Sequence, residues 1–108
     1  MYFKDKEFNK QEEELVTILR TVYDPEIPVN IFDLGLIYNI EIGENKDVDV
    51  TMTLTAPNCP LADEVLAEVH EAVKSVPWVQ DVNVTLTFDP PWDRDMMSEA
   101  AMLELGLL

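Results

Sequence analysis

Residues 47–55 alternate without a break: Val48, Val50, Met52 and Leu54 fall on one side of an extended chain, Asp49, Thr51 and Thr53 on the other. A strand of this kind has one face to bury and one to leave in water. The rest of the chain must therefore supply a cover on one side only, which points to a two-layer arrangement. Residues 79–88 repeat the pattern, with Val82, Val84, Leu86 and Phe88 inward and Asn83, Thr85 and Thr87 outward. A third strand is expected over 36–42, joined to the 47–55 strand by a hairpin loop at Gly43-Glu44-Asn45-Lys46.

The cover comes from helical periodicity. Leu15, Ile18, Leu19 and Val22 make one apolar face of a helix over 10–23, with Asn9 as N-cap and Glu12 completing a capping box. Asp24-Pro25 should end it, because proline disfavours helical geometry in the residue before it. Val65, Leu66, Val69 and Val73 stripe a second helix over 61–75, opened by Pro60. A short third helix over 96–105 should stop at Gly106. The order is α-β-β-α-β-α. The fold expected is an α/β (α+β) two-layer sandwich: a small mixed sheet with helices on one face and a threonine-rich face left open. Residues 1–108 read as a single domain, with 1–8 a flexible arm.

Connectivity brings distant segments together. The hairpin makes the first two strands antiparallel, and the second helix returns the chain so that the third strand runs parallel to the second; strand order 1-2-3 is preferred over 2-1-3. The ends of strands two and three, the start of strand one and the end of helix one then share one edge, around Cys59. Ligand sites in α/β sheets favour the carboxyl ends of parallel strands.

Cys59 is the only cysteine in 108 residues, which rules out an intrachain disulfide and fits a reduced, cytoplasmic thiol. It stands beside a helix N-terminus, where the dipole favours a thiolate able to attack or to ligate a soft metal. A small buried hydrophobe is the plain alternative. The only histidine, His70, lies eleven residues on, roughly 16 Å along a helix. A Cys-His hydrolase is therefore disfavoured, and His70 reads as a solvent-exposed helix residue. Asp24, Glu26, Asp33, Asp89, Asp93 and Asp95 crowd the same edge and could bind a hard cation or accept protons. Ordinary turn and cap chemistry explains each of them singly. Trp92 could anchor a partner or lid the core; Met96, Met97 and Met102 read as packing.

The 22 acidic residues outnumber the 7 Lys and Arg, for a net charge of −15. Such a balance argues against nucleic acid and against anionic membranes, and suits cations, metals or basic partner surfaces. Only three glycines are present and none builds a phosphate loop; there is no Cys-x-x-Cys and no nucleophile elbow.

Three separated segments resemble a known family. They are Asp24-Pro25-Glu26-Ile27-Pro28 with Asp33-Leu34-Gly35-Leu36, then Thr53-Leu54-Thr55-Ala56-Pro57-Asn58-Cys59-Pro60, then Trp92-Asp93-Arg94-Asp95-Met96-Met97-Ser98 with Leu103-Glu104-Leu105-Gly106. Together they resemble the SufT/PaaD-like metal–sulfur cluster biosynthesis proteins, most of all the stand-alone type of the SUF system. The extra C-terminal cysteines of PaaD-type members have no counterpart here. The resemblance implies that Cys59 is the family's reactive cysteine and that Asp24, Glu26 and Asp33 belong to its acidic loop. Thr55, Asn58, Trp92 and Asp93 complete the residues expected to bind.

It also implies an assembly or maturation role rather than turnover of a metabolite. A cluster wants about four thiolates and the chain offers one. The expectation is transient ligation of a cluster or iron, none tightly bound by one chain, followed by transfer to a client. The partners would be assembly machinery and client apoproteins, and a homodimer through the open face or sheet edge is conceivable. A metal-free acidic adaptor is the alternative.

Overall fold

The computed structural model describes residues 8–24, 27–55 and 62–107. Helix α1 (Lys10–Leu19) opens with the expected capping box: the Asn9 side chain accepts from the Glu12 backbone N–H, and Glu12 reaches back to the N–H of Asn9. Strands β1 (Ile37–Ile42) and β2 (Asp47–Met52) are antiparallel. Helix α2 (Ala62–Lys74) returns the chain to β3 (Asp81–Leu86), which runs parallel to β2. A 3-10 turn (Arg94–Met96) and helix α3 (Glu99–Glu104) follow. The sheet order is β1-β2-β3. This is the mixed α+β arrangement that the alternating strands demanded.

The core lies on one side of the sheet. Val48, Val50 and Met52 of β2 are buried with Leu15, Val16 and Leu19 of α1 and Val65, Val69 and Val73 of α2. On the other side the strands show Asn39, Glu41, Asp49, Asn83 and Thr85 to solvent.

Several boundaries differ from expectation, each for a physical reason. Helix α1 stops at Leu19 because residues 22–24 pair instead with 29–31: Ile31 N–H donates to Val22 O (2.9 Å) and Asp24 N–H to Val29 O (3.2 Å). Residues 1–7 lie outside the described part, but Phe8 does not belong to a flexible arm. Its ring meets Phe32 edge-on at 6.2 Å and packs on the core. Strand β3 is shorter than 79–88; Val79 closes a turn onto Val76 O, and Phe88 is exposed rather than inward. Thr53, expected to face solvent, is buried, its N–H donating to Leu36 O (2.8 Å) beyond the end of the ladder. The last helix divides in two because Asp93 and Ser98 each cap a separate turn, accepting from Asp95 N–H and Ala101 N–H. Gly106 (φ +73°) closes α3 as expected: its N–H donates to Leu103 O and that of Leu107 to Met102 O, a Schellman ending.

Candidate functional site

The end of the sheet where β2 and β3 finish is laced together by backbone and side-chain bonds. The 53–55 segment lies beside the start of β1 through the Thr53–Leu36 bond, and Thr87 N–H donates to Met52 O (2.9 Å). The segment after β3 is tied to the segment before β1. Trp92 Nε1 donates to Leu34 O (2.7 Å), Tyr38 Oη to Pro90 O (2.7 Å), and Ser98 N–H to Asp33 O (2.8 Å). Gly35, at φ +83°, passes so close to Met96 that a Cβ there would strike its carbonyl. The meeting of these loops follows from chain connectivity; the bonds that fasten them do not.

The acidic residues are occupied with building those loops. Asp24 is 6% exposed and its Oδ1 accepts from Ile27 N–H (2.9 Å). Asp33 is gripped by Asn30, whose Nδ2 donates to Asp33 Oδ2 while its Oδ1 accepts from Asp33 N–H, both at 2.9 Å. Arg20 Nε stands 3.6 Å from Asp33 Oδ1, with its guanidinium 5.1 Å above the Phe32 ring. The pair is half open to water, so its net worth is about 0–1 kcal/mol and its main effect is to orient Asp33. Asp93 is exposed and caps the 3-10 turn. Thr55 is half-buried where the described chain leaves the sheet end. Trp92 packs against the core and also lines, with Ile27, Met97 and Leu105, an apolar groove of about 410 Å3. Glu26, Asn58 and Cys59 lie outside the described residues. His70 is exposed on α2, as expected.

Sequence reasoning did not single out Arg20, Asn30 or Tyr38. Asn30 carries a signal, an amide three residues before Asp33, the spacing at which a capping side chain accepts from a backbone N–H. Arg20 and Tyr38 carry none, because their partners are distant in sequence.

Among the described residues no group of three or more His, Cys, Asp or Glu side chains could hold a metal ion. The sulfur inventory points the same way: one thiol cannot complete the about four ligands of a cluster.

Comparison with known proteins decides the family. The iron–sulfur cluster assembly protein family matches residues 12–86. The chain belongs to that family. A relative of this assembly protein, the "Fe-S protein maturation auxiliary factor" of Porphyromonas gingivalis, is 60% identical over 104 residues, covering 96% of this chain and 99% of the relative. The "Fe-S protein maturation auxiliary factor SufT" of Staphylococcus aureus is 36% identical over 86 residues, covering 80% and 98%. The crystal structure of a domain of unknown function, DUF59, from Bacillus anthracis matches the assembly protein's fold with a TM-score of 0.84 at 36% identity, over 90% of this chain and 92% of that one. The SufT-like resemblance carried by the three motifs is thus borne out, and with it the α+β fold.

Proposed function

We propose that this chain is a single-domain maturation factor of the SUF type, acting in the cytoplasm, that passes iron or an iron–sulfur cluster to client apoproteins through Cys59. The observation that carries the reading is the laced sheet end. The described chain runs past the end of β2 to Thr55 and is described again from Ala62, the first residue of α2, with Cys59 between them in sequence. In sequence Cys59 comes three residues before Ala62, and closeness to a helix N-terminus favours a thiolate. The described loops at this end are held by bonds between Asp33, Leu34 and Tyr38 and residues 90–98, which brace the end of the sheet that precedes Cys59 in sequence.

One thiolate binds one iron corner and leaves the others exchangeable. Client thiols displace the remaining ligands first and the Cys59 sulfur last; as each incoming sulfur bonds to iron its proton passes to the thiolate it displaces, which leaves as a thiol. Asp24, Asp33 and Asp93 serve this scheme as loop architecture, consistent with their hydrogen bonds; Glu26, Asn58 and Thr55 complete the binding set.

The test is anaerobic transfer of a preassembled cluster to apo-aconitase in the presence of wild-type protein, Cys59→Ala or Cys59→Ser. The expected result is at least a tenfold loss of the acceleration in both variants. Equal maturation by all three proteins would overturn the reading. The engagement of the described carboxylates in local turns favours a second reading, a metal-free adaptor that only gathers machinery and client. Cys59→Ser retaining both partner capture and maturation would select it.

A further inference from the structure

The open face of the sheet carries an arrangement that the assembly role does not explain. Strand register sets Glu41 of β1 directly opposite Asp49 of β2, and Asp47 of β2 beside Asp81 of β3. All four carboxylates are exposed. None of the three strands contains a Lys or Arg. The nearest cation in sequence, Lys46, turns to the helical side: its Nζ bonds Gln11 Oε1 (3.3 Å) and lies 6.0 Å from the Trp78 ring centre. Like charges placed opposite one another across strands cost stability, so the free protein carries a repulsion that a cationic occupant relieves.

The same face continues toward the laced end as a cleft of about 520 Å3 lined by Tyr38, Asn39, Thr51, Thr85, Thr87 and Asp89. Its hydroxyl and amide oxygens are acceptors suited to ammonium and guanidinium groups. Exposed carboxylates toward one end of the sheet and hydroxyl and amide oxygens toward the other thus run across all three strands.

We infer that this open sheet face is a docking surface for a basic protein segment, one presenting lysine or arginine side chains at the two-residue spacing of an extended strand. Charge selects the occupant. A second copy of a chain with net charge −15 would set carboxylates against carboxylates, and nucleic acids and anionic membranes would be repelled. A segment lying along the face ends beside Thr87 and Asp89, at the end of the sheet from which the Cys59-bearing segment departs. The surface would thus hold a client while its cysteines meet the cargo. The inference extends the proposed function to the partner, and its test does not use Cys59.

The probe is a blocked eleven-residue peptide of alternating lysine and threonine in 150 mM NaCl, followed by amide chemical shifts and by titration calorimetry. Shifts are expected at residues 39–41, 47–51 and 81–87. The triple variant Glu41→Gln, Asp49→Asn, Asp81→Asn should weaken binding at least tenfold. The helix variant Glu64→Gln, Glu68→Gln, Glu71→Gln removes the same charge from α2 and should stay within threefold of wild type. Cys59→Ala should bind the peptide like wild type, so that failure here and failure of the thiol reading are told apart. Equal weakening by the two triple variants, or no binding at this salt, would overturn the inference. So would self-association of the wild-type chain that the sheet variant abolishes, since the face would then join copies. Circular dichroism confirms that each variant is folded.

Discussion

At Gly35 the two halves of the laced end approach so closely that there is no room for a side chain. The glycine's φ of +83° lies in the left-handed region, and an added methyl group would collide with the Met96 backbone, which no side-chain rotation can relieve. Gly35→Ala should therefore cost about 2–3 kcal/mol, measured by urea unfolding. Gly106 has a similar φ but nothing within reach of an added Cβ, so Gly106→Ala should cost only about 1 kcal/mol. A smaller loss at Gly35 than at Gly106 would show that the loops can part without penalty. In sequence Gly106 reads as a helix stop, but nothing there marks Gly35 as the less replaceable of the two, because the Met96 backbone that crowds it lies sixty-one positions away.

At the scale of elements, the β1–β2 pair keeps Glu41 and Asp49 face to face. Replacing Glu41 by Gln removes the repulsion and keeps the Asn39 Nδ2 bond to the side-chain oxygen. The variant should be more stable by about 0.2–1 kcal/mol in thermal unfolding at low salt; a loss of stability would mean that the pair is not repulsive.

Legibility also divides along elements. Strand order and the parallel β2–β3 pair could be read because a four-residue hairpin and one crossover helix leave little choice. The capping box of α1 could be read because all its parts lie within four residues. The early end of α1 could not, since it depends on residues 22–24 preferring 29–31 as partners, a competition that local propensity does not register. The occupations of Asp24 and Asp33 were half legible: turn chemistry was foreseeable, but the Arg20 contact was not. Phe8 escaped because a single aromatic outside any periodic run gives no sign of what it will pack against.

The molecule as a whole carries 22 acidic residues against 7 Lys and Arg. Arg20 pairs with Asp33, but the acidic excess of 15 charges leaves a net repulsion acting on the folded state. Because the Debye length shrinks from about 30 Å at 0.01 M to about 3 Å at 1 M salt, raising NaCl from 10 mM to 500 mM should lift the melting temperature by several degrees, followed by scanning calorimetry. A melting point that falls with salt would mean that attractive pairs outweigh the excess.

Among the described residues the three-stranded sheet has β1 and β3 as its rims. Rims of bare amides and carbonyls invite strands from other molecules. Glu41 on one rim and Asp81 on the other act as fenders against that contact. An engineer who stripped both to gain a firmer fold would obtain a tougher molecule in isolation and a stickier one in concentrated solution.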